Sequence, residues 1–453
     1  MKLFLKINFL LVLVCFLCVT SCKKKAESLA ESELKHKKKA TKPNIVIFFV
    51  DDLGWADIGY RNKMYHTPNV DALCKEGLEF TKAYIPTPTC SPSRSSLLTG
   101  KESVRMGFVR HIPNNDHKGE FHYWPKDPAQ MPSRNYLPLS EITYAERLHD
   151  YGYYNFFLGK WHLGHEEKYY PENQGFDEVF GSTEAFKHSF KPYYHDKKIK
   201  EGAYKTDVLT NEAVRQIIAY DKDKPFSMSL WYYNVHAPLQ GRKDWVEFYN
   251  NKGITGDLAE YGAMVSTMDE SIGKVRKAIK DKGIANNTII VFLSDQGGRF
   301  KNAHLRGGKM GGDALAEGGA RVPFIIHYPG VTKPGSKCET RVQSIDLYPT
   351  IMEIASGEAC NEPQIQGKTL LPALNGEILP SRKLYSYRSY EDQNSAIIDG
   401  DWKLIKYRSG KCQLYNLKDN EEEQNDLFSI EPEKAEKLKA SLLKWEKEAV
   451  PTF

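Results

Sequence analysis

The chain has 453 residues and a formal charge of +5, long enough to bury a large core in one big domain plus a smaller one. Residues 23–42 hold eight lysines and three glutamates and account for that net charge by themselves, so the body from Pro43 onward lacks the basic footprint of a nucleic-acid binder. Six of the eight cysteines lie from Cys22 onward and none of these forms a Cys-x-x-Cys pair, which excludes a zinc knuckle or a thioredoxin-like site.

Lys2 and Lys6 flank the start of an apolar run over 9–19 that is too short to span a bilayer. The run ends in Val19-Thr20-Ser21-Cys22, which looks like a bacterial lipobox with Cys22 as the lipidated first residue of the mature protein. Residues 1–22 are therefore read as a lipoprotein signal peptide and 23–42 as a lysine-rich, solvated tether. The expectation is an exported bacterial lipoprotein, periplasmic or at the cell surface, touching a membrane only through its lipid anchor.

From Pro43 on, short apolar runs rich in β-formers alternate with amphipathic segments, the pattern of an α/β fold whose sheet is covered by helices. Strands are predicted over 44–50, 154–158, 226–233, 288–293 and 322–327, and helices over 144–151, 206–220 and 257–278. A further helix is predicted within 342–355, between Cys338 and Cys360, a pair whose placement allows a disulfide closing that loop and equally two free thiols. Past residue 375 the texture changes to short strands over 384–388, 395–398, 402–407 and 413–417 and a helix over 433–447. This predicts a catalytic domain over 43–375 and a C-terminal subdomain over 376–453, built from an antiparallel sheet plus a helix.

Four of the predicted strands run straight into polar residues: Asp51-Asp52, Gly159-Lys160-Trp161-His162-Leu163-Gly164, Asn234-Val235-His236 and Ser294-Asp295-Gln296. In open α/β sheets ligands bind outside the carboxyl ends of the strands, so these four ends are expected to meet in one pocket. Adjacent carboxylates after an apolar strand are costly unless a cation neutralises them. Asp51, Asp52 and Asp295, with the amide oxygen of Gln296, make an all-oxygen set that suits Ca2+ or Mg2+ and not zinc.

Cys90 opens the run Cys90-Ser91-Pro92-Ser93-Arg94-Ser95-Ser96-Leu97-Leu98-Thr99-Gly100. Pro92 fits the first turn of a helix, whose N-terminus offers backbone N–H groups to an anion, and Arg94 reaches out from the same turn. Lys160 and His162 are expected to alternate onto one side of an extended segment. His236 and Lys309, the latter in Arg306-Gly307-Gly308-Lys309, complete a set able to neutralise a tetrahedral anion and protonate its leaving oxygen. The polar, aromatic stretch over 110–134, together with Arg299, His304 and Arg306, is read either as material for the pocket mouth or as solvated loop.

The Cys90 run resembles the maturation signature of type I, formylglycine-dependent sulfatases of the alkaline-phosphatase-like superfamily. The segments around Lys160, His236, Lys309, Glu317-Gly318-Gly319 and Gly400-Asp401-Trp402-Lys403 follow in that family's order, so the resemblance runs from Pro43 to the C-terminal helix. It implies an alkaline-phosphatase-like central mixed sheet flanked by helices, with a smaller C-terminal α+β subdomain. The implied activity is a sulfuric ester hydrolase acting on a sulfated carbohydrate, matured by a formylglycine-generating enzyme that oxidises Cys90 to 3-oxoalanine. In that reading the hydrate of residue 90 attacks sulfur, and Asp51, Asp52, Asp295, Gln296 and residue 90 hold the metal, calcium most often. Arg94 stabilises the hydrate, Lys160 holds a sulfate oxygen, His236 and Lys309 face the leaving group, and His162 helps take a proton so that sulfate is expelled. The chain departs from the family at Gln296, where asparagine is usual; glutamine keeps the amide oxygen and adds a methylene. Two rival readings are a phosphonate or phosphate ester hydrolase of the same superfamily and a non-catalytic glycan-binding lipoprotein.

Overall fold

The structure is a computed structural model that describes residues 42–113, 119–124, 131–182, 203–309, 312–389 and 392–451; Cys22, the apolar leader and the tether over 23–41 lie outside them. The eight strands of the main sheet are β1 (Asn44–Val50), β2 (Leu78–Phe80), β3 (Tyr154–Lys160), β4 (Glu178–Ser182), β5 (Phe226–Trp231), β6 (Thr288–Ser294), β7 (Phe324–His327) and β8 (Ser336–Cys338). They stand side by side in the order β8-β2-β7-β6-β1-β5-β3-β4. The five strands β6, β1, β5, β3 and β4 are parallel, so their carboxyl ends share one edge. β1 reads NIVIFFV and is buried at every position, as a central strand covered on both faces must be.

Alternation along β1 divides its side chains between two cores. Ile45, Ile47 and Phe49 pack with Tyr144 and Leu148 of α3 (Tyr144–Asp150) and with Leu347 and Ile351 of α6 (Leu347–Ser356). Leu97 and Leu98 of α2 (Cys90–Thr99) belong to the same core. Val46, Phe48 and Val50 pack on the other side with α1 (Pro68–Glu76), α4 (Lys205–Ala219) and the long α5 (Asp257–Asp281). The resulting layers are helix, sheet and helix.

The C-terminal sheet is an antiparallel meander of β9 (Leu384–Tyr387), β10 (Gln393–Asp399), β11 (Trp402–Tyr407) and β12 (Cys412–Asn416). Ile397, Leu404 and Leu414 on one face meet Leu438, Leu442 and Trp445 of α7 (Pro432–Ala449). Ile398, Ile405 and Tyr415 on the opposite face meet Tyr84, Leu315 and Ala320 of the main body. The meander is thus sandwiched between its own helix and the catalytic region.

Several expectations shift. Segment 322–327 is not one strand: Arg321–Val322 joins a small three-stranded sheet and only Phe324–His327 enters the main one, antiparallel to its neighbours. Pro323 separates the two pieces, since it has no N–H for the ladder. β3 continues two residues past the predicted end and carries Lys160 as its last residue. The helix expected within 342–355 starts at Leu347, after a short strand Val342–Gln343. Cys338 and Cys360 are both free, so of the two alternatives the structure has free thiols and no disulfide. Cys338 is held in edge strand β8, while the backbone N–H of Cys360 donates to Glu353 of α6 at 3.1 Å, so each is fixed by a different element. Among the described residues no helix is long and apolar enough to cross a membrane.

Candidate active site

The backbone at the sheet edge begins the site. Beyond the end of β1, Asp51 N–H donates to Asn234 O at 2.8 Å and Asp51 O accepts from Val235 N–H at 2.5 Å, extending the pairing of β1 and β5 past the sheet. Asp295 N–H donates to Val50 O at 3.1 Å and ties the end of β6 to the same point. Asp52 adopts a left-handed conformation, φ 63°, which non-glycine residues take at a cost and which clusters at functional sites. Its own N–H donates to Asp295 Oδ1 at 3.0 Å.

Cys90 is the first residue of α2, a helix buried along its whole length. Its Sγ, standing where the oxidised residue would carry oxygen, lies 3.5 Å from Asp51 Oδ1 and 3.3 Å from Gln296 Nε2. Gln296 also donates from Nε2 to Asp52 Oδ1 at 2.6 Å. Potential ligand atoms of Asp51, Cys90 and Asp295 lie within 4.8 Å of one another, as do those of Asp52, Cys90 and His236.

Cations close around these acids. Lys160 pairs with Asp51 and Lys309 with Asp52. Arg94, fully buried, donates to Asp295 Oδ2 at 3.2 Å and to Lys160 O at 2.7 Å, with its guanidinium near the faces of Phe49 and Trp231. Arg94 Nε has no partner among the described residues. His236 Nε2 stands 3.8 Å from Asp52 Oδ2. His162 also sits at a positive φ, 58°, so Lys160 and His162 reach the pocket through a turn and not through alternation along one strand. Its Nε2 donates to Ile112 O at 2.8 Å, leaving Nδ1 as a buried acceptor without a partner among the described residues.

Burial alone would raise Asp51, yet Lys160, His236, Arg94 and Lys309 hold its carboxyl well below the usual carboxylate range. Asp295 goes the other way, pushed well up by burial and by the negative charge of Asp51. Burial and Asp51 drive the Cys90 thiol up to about 12, so an unmodified Cys90 holds its proton at neutral pH and is a poor nucleophile. Burial works against the charge of Lys309, but the pairing with Asp52 outweighs it and keeps the ammonium protonated. Burial and Lys160 hold His162 neutral. Three carboxylates and an amide in one dry pocket, one acid already raised by its neighbours, form a donor set that fits a hard divalent cation. The Gln296 amide faces that set through its nitrogen, an assignment that a turn of the carboxamide exchanges for oxygen.

The sulfatase family profile matches residues 43–357, and a second profile, N-sulphoglucosamine sulphohydrolase C-terminal, matches residues 313–448. The chain belongs to the sulfatase family. It is 32% identical over 349 residues to arylsulfatase J of Mus musculus, covering 72% of this chain but 55% of that relative, about half its length. It is 32% identical over 375 residues to N-acetylgalactosamine-6-sulfatase of Homo sapiens, covering 76% of this chain and 68% of the relative. The solved structure of Ps i-CgsB in complex with k-i-k-neocarrahexaose superposes with a TM-score of 0.80 at 27% identity, over 90% of this chain and 94% of that one.

In this sulfatase the structure brings together nine of the ten residues singled out for the pocket, Asp51, Asp52, Cys90, Arg94, Lys160, His236, Asp295, Gln296 and Lys309, by direct contacts, and sets the tenth, His162, near enough to Lys160 and Arg94 to feel their charge. The mouth is a different matter. His111 is near enough to Lys309 and Lys160 to feel their charge, and burial with that charge pushes it down to about 3; Trp124 meets its ring edge-on at 5.6 Å. Arg306 instead donates to Tyr415 at 2.8 Å, and His304 lies 3.5 Å from Glu421, so both brace the C-terminal meander. Sequence reasoning missed Asn302, which accepts from Ala56 N–H at 2.7 Å and donates to Gly318 O at 3.0 Å. It also missed Tyr261, whose hydroxyl lies 2.5 Å from Asp57 and 3.2 Å from Asp52 O. Neither carries a local signal, since each acts on a segment far away along the chain. Replacing Arg94 by Met removes a buried donor from Asp295, whose raised carboxyl can take up a proton in response, and should cost about 1–3 kcal/mol, read by denaturant unfolding in chelator; no measurable loss would contradict the brace.

Proposed function

We propose that this chain is a formylglycine-dependent sulfatase that removes sulfate from a carbohydrate. The observation that carries this reading is Cys90 at the N-terminus of α2, with acid ligand atoms of both Asp51 and Asp295 within 4.8 Å and a thiol too basic to act as it stands. Once oxidised by its maturation enzyme, residue 90 would supply the nucleophile as an aldehyde hydrate; Asp51, Asp52, Asp295 and Gln296 would hold a calcium ion, whose chemistry there would be to neutralise charge at the sulfate. Lys160 and Lys309 bind the remaining sulfate oxygens from the Asp51 and Asp52 sides respectively. His236 gives a proton to the departing oxygen and Lys309 screens its charge, while His162 takes a proton at Nδ1 when sulfate is expelled.

A sulfated carbohydrate is supported by two of the relatives, one named for N-acetylgalactosamine-6-sulfate and one solved with neocarrahexaose. The lipobox-like Val19-Thr20-Ser21-Cys22 supports an exported lipoprotein anchored through Cys22, with access to polysaccharide outside the cytoplasm.

Peptide mass across residue 90, after co-expression with a formylglycine-generating enzyme, should show thiol replaced by aldehyde, and the matured protein should release sulfate from defined sulfated saccharides faster than phosphate from aryl phosphates or phosphonates. Cys90→Ser, with the serine verified as unmodified, should lose multiple turnover; near-wild-type turnover would refute the nucleophile. Removing metal with chelator should abolish activity and lower the melting temperature, and Ca2+ should restore both; an enzyme equally stable and active after complete chelation would refute the cation site. Cys22→Ala should move the protein from the membrane to the soluble fraction, whereas unchanged membrane attachment would refute the anchor.

A further inference from the structure

Behind the loops that carry the site lies a cluster of charges with no role in the chemistry so far described. Lys403, near the start of β11, places Nζ 2.9 Å from Glu317 Oε1 and 2.9 Å from Glu423 Oε1, and all three side chains are 1% exposed or less. Glu423 takes a left-handed conformation, φ 52°, and its Oε2 accepts the Glu317 N–H at 2.8 Å. Tyr84 donates to Glu317 at 2.8 Å, and the Arg306 Nε lies 3.6 Å from Glu423. Burying three such charges costs several kcal/mol per ion, and apolar side chains could hold the two surfaces together without it. What a charged cluster adds is a fixed geometry.

The segments it fixes are those that carry the site. Gly318 N–H donates to Arg306 O at 2.7 Å, Gly297 N–H to Gly319 O at 2.9 Å, and Lys309 N–H to Gly298 O at 2.9 Å. The turn after Asp295-Gln296, the loop bearing Lys309 and the turn opened by Glu317 are therefore one backbone knot. It has no slack: a Cβ on Gly297 would lie 2.0 Å from Gly318 O, and one on Gly318 would lie 2.4 Å from Gly307 O. Asp295 is held from elsewhere as well, by the β1 backbone and by Arg94. Lys309 depends on the knot and on its pairing with Asp52, so a shift of the Glu317 turn moves Lys309 first.

We propose that Lys403 is a positioning residue: from the C-terminal meander it holds Glu317 and Glu423, and through them the Arg306–Lys309 loop, so that the Lys309 ammonium meets the leaving-group oxygen. This rests on the reading of Lys309 as the cation at that oxygen. The C-terminal meander is then part of the catalytic apparatus, acting at a distance through one buried lysine.

The test uses the matured, Ca2+-loaded enzyme and two esters that differ in leaving group, phenyl sulfate and 4-nitrophenyl sulfate. Phenoxide is the stronger base and needs the cation more. Lys403→Met should lower kcat on phenyl sulfate on the order of tenfold to a hundredfold, as small displacements of a catalytic group do. On 4-nitrophenyl sulfate the loss should stay within about threefold, because an activated leaving group needs less help. Since Lys403→Met leaves Glu317 and Glu423 with only the more distant Arg321 and Arg306 as cations, the charge-balanced pair Lys403→Met with Glu423→Gln is measured beside it and should show the same split. Equal losses on the two esters, or no loss on either, in the balanced variant overturn the positioning role. Lys309→Ala serves as the reference and should show the split at least as strongly. If Lys309→Ala treats both esters alike, the leaving-group reading fails and the proposal falls with it; a split in Lys309→Ala but none in the Lys403 variants overturns the positioning role alone.

Discussion

Asp51, Asp52 and Asp295 share a pocket from which water is excluded, all three at most 2% exposed, and every other feature of the site answers to that crowding. Carboxylates at such short range cannot all stay ionised without positive charge close by. Lys160, Lys309 and Arg94 supply it from three separate elements. The raised Asp295 and the lowered Asp51 are two sides of the same imbalance, and a divalent cation is what such an imbalance attracts.

The parallel sheet makes the crowding possible. Because β6, β1, β5 and β3 are neighbours with one direction, their ends deliver Asp295, Asp51 with Asp52, His236 and Lys160 to a single edge. Helix α2 then brings Cys90 to the acids with its N-terminus leading, where unsatisfied N–H groups favour an anion. The C-terminal meander and the segment after it contact the loops that carry Lys309. A pocket with so little room for adjustment suits a reaction that depends on where charge is held more than on what moves.

Much of this was legible in the chain. A strand such as NIVIFFV followed by two aspartates announces both its burial and the need for a counter-charge, because the period of the apolar residues and the cost of buried carboxylates are local facts. The boundaries that slipped had nonlocal causes. Pro323 splits a continuous apolar run between two sheets, and the choice of sheet depends on which strands lie alongside. The left-handed turns at Asp52 and His162 are imposed by partners hundreds or tens of residues away, Asp295 for one and Ile112 for the other. Arg306 and His304 looked like rim residues because both are polar and follow a site strand, yet their partners are Tyr415 in the meander and Glu421 just after it.

The amino-acid order alone pointed to the kind of chemistry, since the Cys90 run, the paired aspartates and the basic residues after strands are functional groups whose identity and spacing are written in the chain. Only the tertiary structure decided that Cys338 and Cys360 stay apart, that Gln296 faces Asp52 and Cys90, and that Lys403, Glu317 and Glu423 meet. Those outcomes depend on distances between segments separated along the chain, and such distances are fixed by how the layers pack.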